Sequence, residues 1–498
     1  MQPVQEYDVV VVGAGAVGEN VADRASRTGL DVALVDAELV GGECSYWACM
    51  PSKAMLRPGD VLAAARAVPG VRGVEGLDVA AVLARRDEVA AHWDDSGQVA
   101  WVEGAGLTLL RGHARLTGER ELHVAGPAGE VRVVARCAVV LATGSSAVVP
   151  DAFADVRPWT SREATSARQV PARLAVVGGG VVAVEMATAY ADLGAQVEVL
   201  VRGDRLLPRA EPFAGEAVLA ALVDRGVRVS TGASVTQAQR RGDEVHLRVE
   251  HRGGPGEGAV APRDVVVDEV LVATGRRPRS DDLGVEHVGL VPGEPVEVDD
   301  ALQVQGVPGG WLFAAGDVTG RTATTHQGKY DARVVGDVIA ARFAGRGEKS
   351  VDAARVPRGV TREAEEGAGA WSRFRATADV AAVPQVVFGR PQVAWVGTTQ
   401  EEAARAGVDV DVVGYEIGDV AGASVTDPAY RGRAQVLVDR ERDVLVGATF
   451  VGPDVAEMLH AATVAVVGEV PLDRLWHAVP AYPTVSEVWL RLLEAAGR

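Results

Sequence analysis

A chain of 498 residues is longer than one hydrophobic core usually serves, so two to four domains are expected, and 48% apolar with only 5% aromatic content suits closely packed α/β layers. A formal charge of −18 without any basic run argues against nucleic acid or anionic lipid as a partner. No stretch approaches the roughly 18 apolar residues of a membrane span, the start MQPVQEYD lacks a leader pattern, and three cysteines are too few for a secreted disulfide framework, so a cytoplasmic setting is expected.

In chain order, the apolar strand Val9 to Val12 runs into Gly13-Ala14-Gly15-Ala16-Val17-Gly18, then a helical stretch, then a second strand, Val32 to Val35, closed by Asp36. This is a βαβ unit with a dinucleotide fingerprint: the glycines let backbone approach a pyrophosphate, and an acid about 20 residues on accepts from ribose hydroxyls. The same pattern returns with strand Leu174 to Val177, Gly178-Gly179-Gly180-Val181-Val182-Ala183, a helix through Leu193 and strand Val197 to Val201. Each unit is followed by an apolar strand ending in Ala-Thr-Gly, at Thr143-Gly144 and Thr274-Gly275, which marks an internal duplication able to hold two dinucleotides. A further strand ends at Ala315-Gly316-Asp317, and a helical stretch to Ala341 follows; both are assigned back to the first domain. Residues 346–380 lose periodicity and are expected to be a solvated connection or insertion. From Pro384 onward, alternating segments such as Gln435 to Val438 and Val444 to Val451 predict a mixed α+β domain without a glycine fingerprint.

The most specific segment is Gly41-Gly42-Glu43-Cys44-Ser45-Tyr46-Trp47-Ala48-Cys49-Met50-Pro51-Ser52-Lys53, directly after the first unit. Two thiols five positions apart, at the start of a Pro-opened helical stretch, can close a disulfide, and a helix N-terminus favours a thiolate. The alternatives are two inert buried thiols, or a zinc site that would need further ligands. Cys137, on a strand beside Val133 and Val134, is expected to be a small core residue.

These motifs, with Ala273-Thr274-Gly275-Arg276-Arg277-Pro278 and a C-terminal Pro483-Thr484-Val485-Ser486-Glu487, resemble the class I pyridine nucleotide-disulfide oxidoreductases, a family that includes dihydrolipoamide dehydrogenase, glutathione reductase and mercuric reductase. The resemblance covers nearly the whole chain. It implies an α/β fold of two Rossmann-like domains and a C-terminal α+β dimerisation domain: 1–150 and 291–345 for FAD, 151–290 for NAD(P), 346–380 as the connection and 381–498 as the interface domain. It further implies that Gly13, Gly15, Gly18, Asp36, Thr143, Gly144 and Asp317 bind FAD, that Cys49 faces the flavin, that Cys44 is the interchange thiol, and that Lys53 and Glu185 form an ion pair beside the flavin. His326 falls where the family places a histidine near the flavin, although a structural histidine is an equal reading. Gly178, Gly180, Ala183 and Gly275 would hold the nicotinamide nucleotide. Val201 replaces the carboxylate that usually ends an NAD-selective second strand, and Arg202 and Arg205 follow, with Arg209 close by. This favours NADP(H) over NAD(H), unless these arginines are only a solvated face.

The chain departs from the family at its C-terminal motif. Disulfide reductases carry a histidine directly before Pro-Thr, held by a Glu five residues on; here the position is Tyr482, with Glu487 retained, and His477 lies too early in the chain. A phenol with an unperturbed pKa of about 10 donates a hydrogen bond readily but is a poor base at neutral pH. The region also lacks the C-terminal cysteine pair of mercuric reductases. The leading expectation is therefore electron flow from NADPH through flavin to the Cys44-Cys49 disulfide and on to a small-molecule disulfide or other electrophilic acceptor, in a homodimer. Two alternatives remain. One is a quinone reductase or diaphorase in which the cysteines only store electrons; the other is a redox-responsive flavoprotein subunit of a larger complex.

Overall fold

Four consecutive valines are buried together only in a strand covered on both faces. In the computed structural model, which describes residues 4–252, 261–349, 351 and 354–498, Val9 to Val12 end the strand Val4–Val12 at the centre of a parallel sheet. Val9 pairs with Val32 on one side and with Ala138 on the other. Its side chains alternate between two cores. Val9 and Val11 pack with Val21, Ala22, Val335 and Ile339 from the helices Ala16–Ser26 and Thr325–Arg342, while Val10 and Val12 pack with Val35, Leu116, Leu122 and Trp311. Each fully buried valine contributes roughly 1.5–3 kcal/mol relative to exposure. The sheet continues outward through Val32–Asp36 and Thr108–Arg111, and inward through Gly129–Leu141, whose first half pairs antiparallel with Glu121–Gly126 and whose last residues pair parallel with Leu312–Ala314.

These strands belong to the first of two units, formed by Met1–Met50, Ala90–Ser146 and Arg276–Val380. Within it the expectation of a solvated segment beyond residue 346 is corrected for its second half. Val360, Phe374 and Ala376 are buried in the first core, and Arg373 joins Arg24 on the buried Asp337. Three apolar residues scattered over that length show no period, yet each is buried in the core that also holds Val335 and Ile339.

The second unit gathers Pro51–Val89, Ala147–Gly275 and Ala381–Arg498. Its parallel sheet has the order Arg228–Ser230, Gln196–Leu200, Arg173–Val177, Glu269–Val272, with the helix Val181–Asp192 packed on it. An antiparallel three-stranded sheet, Ala233–Arg241, Glu244–His251 and Arg263–Val267, stands beside it. The C-terminal part is an antiparallel sheet in the order Gln385–Val387, Gln392–Gly397, Val444–Gly452, Arg433–Asp439, Val410–Glu416, covered by the helices Leu459–Val467 and Val488–Ala495. Among the described residues no helix is long and apolar enough to cross a membrane.

Candidate active site

The first glycine turn is shaped by what a side chain would strike. Gly13 has φ +103°, and a Cβ there would lie 2.4 Å from the Ala142 carbonyl oxygen; one on Gly18 would lie 1.8 Å from that of Gly13. Gly15 caps the helix Ala16–Ser26 without any side-chain hydrogen bond, and a Cβ there would meet nothing closer than 3.9 Å. Two glycines thus close the turn, while the third leaves the helix N-terminus open to an anion. Asp36 accepts the Ala14 N–H at 2.5 Å and the Glu38 N–H at 2.7 Å, and burial raises its pKa above the ordinary carboxylate value. Asp317 accepts from the Ser145 hydroxyl at 2.5 Å, and Arg276 Nε donates to that hydroxyl at 2.7 Å. Thr143 Oγ1 donates to the Arg279 carbonyl at 2.7 Å, and the Arg279 N–H donates to the Gly144 carbonyl at 3.0 Å. His326 is exposed in the first turn of Thr325–Arg342. The hydroxyls of Thr322 and Thr324, close by in sequence, are buried with no hydrogen-bond partner among the described residues. Buried hydroxyls are nearly always satisfied, so this unit fits a polar ligand such as FAD.

Gly41 and Gly42, at φ +110° and +60°, seat the cysteine segment against this turn. The Gly41 N–H donates to the Ala14 carbonyl at 2.7 Å, and a Cβ on Gly42 would stand 2.8 Å from Gly15 Cα. A short helix, Gly42–Tyr46, carries Cys44; the next helix, Cys49–Ala67, opens at Cys49 itself and not at Pro51 as expected. The two sulfurs are hydrogen-bonded to each other. That bond, then burial, then repulsion from Cys49 push the Cys44 thiol far above its ordinary pKa. Cys49 opens the helix Cys49–Ala67, and a helix N-terminus favours a thiolate. Cys49 Sγ lies 3.3 Å from Thr325 Oγ1. Between the cysteines, Tyr46 is buried with its hydroxyl on the Val40 carbonyl at 3.1 Å, its ring 5.6 Å from that of Trp47, and its pKa raised to about 12 chiefly by burial. Cys137 is buried at 3% exposure. Among the described residues no group of histidine, cysteine or acidic side chains has the arrangement of a metal site.

In the second unit Lys53 Nζ donates to Glu185 Oε2 at 2.8 Å and sits 4.9 Å from the centre of the Phe388 ring, and the Phe388 backbone N–H donates to Glu185 Oε1 at 3.0 Å. Glu185 is buried, so this is not an exposed pair whose worth solvent would erase. In the second glycine turn a Cβ on Gly178 would lie 2.2 Å from the Ala273 carbonyl and one on Gly179 2.8 Å from Val201, whereas Gly180 has nothing within 4 Å. Gly180 caps the helix Val181–Asp192 without a side-chain hydrogen bond, and Ala183 is wholly buried beneath it, which fits a dinucleotide at Gly180. Gly275, at φ +143°, accepts the Val148 N–H at 3.0 Å. Arg202 is exposed with no ion pair among the described residues, and Arg205 donates to the Pro208 carbonyl at 2.9 Å. Tyr482 is 76% exposed. Glu487 is buried; its Oε1 accepts from Arg491 at 2.8 Å, and its Oε2 has no hydrogen-bond partner among the described residues. His477 is exposed with its ring against Trp476.

Several residues here escaped the sequence reading. The seating role of Gly41 and Gly42 was signalled by the adjacent glycines. Thr322, Thr324, Thr325, Ser145 and Phe388 carry no local signal, because each reaches its place through tertiary packing.

The model of the pyridine nucleotide-disulphide oxidoreductase family matches residues 7–332, and that family's dimerisation-domain model matches residues 383–493. The chain is 31% identical to a dihydrolipoyl dehydrogenase of Thermus scotoductus, over 99% of this chain and 98% of that one. It is 28% identical to a mercuric reductase of Staphylococcus aureus, over 97% of this chain and 81% of that one. The fold matches the HOCl-induced flavoprotein disulfide reductase RclA from Escherichia coli, solved as its Cu(II) complex, with a TM-score of 0.79 at 23% identity, covering 98% of this chain and 99% of that one.

Proposed function

The chain belongs to the pyridine nucleotide-disulphide oxidoreductase family, and from that premise we propose that Cys44 and Cys49 are its redox pair, with NADPH as the preferred donor and a small-molecule disulfide or quinone as acceptor. The activity is FAD-dependent transfer of electrons from a nicotinamide nucleotide to a disulfide. Bound FAD supplies the two-electron relay between nucleotide and cysteines. What carries the assignment of the pair is the spacing of Cys44 and Cys49 in a segment that two left-handed glycines seat against the first fingerprint.

The residues divide the work by their chemistry. Gly13 and Gly18 close the turn and Gly15 leaves the helix N-terminus open, while Asp36 and Asp317 are held by backbone amides and by Ser145 as acceptors for ribose and ribityl hydroxyls. Lys53, fixed on buried Glu185, supplies a positive charge, and Arg202 offers a charge-assisted bond to a 2′-phosphate. Cys44 must lose its proton to attack a substrate disulfide; in the reverse direction a base must take a proton from the incoming dithiol and return one to the departing Cys44 thiolate. Exposed Tyr482 is a weak base for that task. This favours acceptors such as quinones, which need no proton relay at Cys44, and it is the observation behind the second reading, in which the thiols store electrons.

Alkylation of the reduced protein with iodoacetamide separates these readings. If Cys44 attacks the acceptor, its modification stops disulfide reduction; if the thiols only store electrons, turnover of quinone with NADPH survives. Two-electron reduction should also give a long-wavelength absorption band that Cys49→Ser abolishes. An unchanged band in that variant refutes the role given to Cys49.

A further inference from the structure

Three consecutive L-residues, Ala91, His92 and Trp93, hold φ angles of +48°, +52° and +57°. A left-handed turn crowds each Cβ against the backbone and persists only where the surrounding structure over-determines it. Here it delivers two contacts onto one short stretch of chain. The Trp93 indole N–H donates to the Tyr46 carbonyl at 3.2 Å, and Asp95 Oδ2 accepts the Val40 N–H at 2.7 Å. Val40 and Tyr46 are themselves tied by the Tyr46 hydroxyl. Cys44 lies between the two anchored residues, and the anchored Tyr46 carbonyl lies between Cys44 and Cys49.

We infer that residues 91–95 form a clasp on the segment that carries the cysteines, and that Trp93 is a positioning residue setting how readily Cys44 and Cys49 close to a disulfide. The inference rests on the proposal that these two cysteines are the redox pair. Closure demands a narrow range of Cα separation and Cβ direction. A segment already held near that geometry loses little freedom on closing, so the clasp stabilises the disulfide relative to the dithiol. Releasing it gives the dithiol back its freedom and makes the pair easier to reduce.

The test is thiol–disulfide exchange with dithiothreitol, which needs no turnover. Oxidised dithiothreitol takes two electrons and two protons from the two thiols; its S–S bond breaks as the Cys44–Cys49 bond forms. Protein is equilibrated across ratios of reduced to oxidised reagent, thiols are trapped by alkylation, and the state of the pair is read by mass spectrometry. Trp93→Phe, which removes the N–H and keeps a ring, is expected to shift the midpoint about fivefold toward the dithiol, the effect of one lost hydrogen bond. Asp95→Ala, which removes the other arm, should shift it the same way. His92→Gly keeps the left-handed turn without its Cβ and should leave the midpoint in place while raising the urea midpoint.

A Trp93→Phe protein that loses urea resistance but keeps the native exchange midpoint overturns the clasp, because that is a purely structural role. Should Trp93→Phe fail to fold, Asp95→Ala decides by the same criterion. If the unaltered protein never pairs Cys44 with Cys49 at any ratio, the redox-pair proposal fails and the clasp with it. If it does pair them but neither variant moves the midpoint, only the clasp fails.

Discussion

A methyl group on Gly18 would lie 1.8 Å from the Gly13 carbonyl oxygen, both fixed by the turn they build, whereas one on Gly180 would meet nothing within 4 Å. Different positions of the fingerprint therefore answer differently to the same substitution. Gly18→Ala should cost about 3 kcal/mol or more, at or beyond the upper end for overpacking, and be read as a lower melting temperature and poor flavin retention. Gly180→Ala should melt within about 0.5 kcal/mol of the native protein yet bind the nicotinamide nucleotide about tenfold more weakly, a loss of about 1.4 kcal/mol. Arg202 makes no ion pair among the described residues, so Arg202→Ala removes no such support from the fold. It should raise the NADPH Michaelis constant and spare NADH, and an equal rise for both in steady-state kinetics would contradict a 2′-phosphate contact. At Tyr482 the expected gain runs the other way. With Glu487 Oε2 lacking a hydrogen-bond partner among the described residues, Tyr482→His should accelerate dihydrolipoamide oxidation near neutral pH, within the roughly 10²–10⁴ range of general acid–base help. Quinone reduction should change little; rapid native lipoamide turnover at pH 7, with Tyr482→Phe harmless, would show that another group is the base.

The helix Thr325–Arg342 contributes at two places in its first half. Its first residue contacts Cys49, while further along the buried Asp331 carboxyl feels the charge of Asp379 and accepts the Gly316 N–H at 3.2 Å. Burial, then the charge of Asp379, then the hydrogen bond from it raise the Asp331 pKa from 3.8 to about 8. Since the folded state holds this proton more tightly than the unfolded chain, the associated stability is present at low pH and is lost as pH rises from about 4 to about 8. The slope has a ceiling of about 1.4 kcal/mol per pH unit for a single group. Asp331→Asn should flatten the fall in urea midpoint across that window. A slope unchanged in the variant would assign the pH dependence to other groups. Asp379 comes from the segment once expected to be solvated, which is why no local pattern around Asp331 announced the pair.

At the scale of the molecule, the C-terminal part exposes Trp476 at 54%, Val479 at 83% and Tyr482 at 76%. Apolar groups so placed mark an interaction surface, and the dimerisation-domain match at 383–493 makes a second copy of the chain the proposed occupant. Sedimentation should find a dimer. Val479→Asp should yield a folded monomer of low activity, and full activity in that monomer would refute the assembly.

The two glycine turns, the strands that feed them and the cysteine segment were legible in the amino-acid order because each is a local event. A strand buried on both faces needs an unbroken apolar run, a turn onto a helix N-terminus needs residues without a Cβ, and closely spaced thiols can meet only nearby in the chain. The exposure of Tyr482 could not be read that way, nor could the burial of Val360 and Phe374, the left-handed clasp at 91–93 or the approach of Asp379 to Asp331. Those features join segments separated by tens of residues, and they follow from which surfaces the packed layers bring together. Residue types set what chemistry is available; the tertiary structure decided which groups hold a proton, which lack a partner and which are held in place to act.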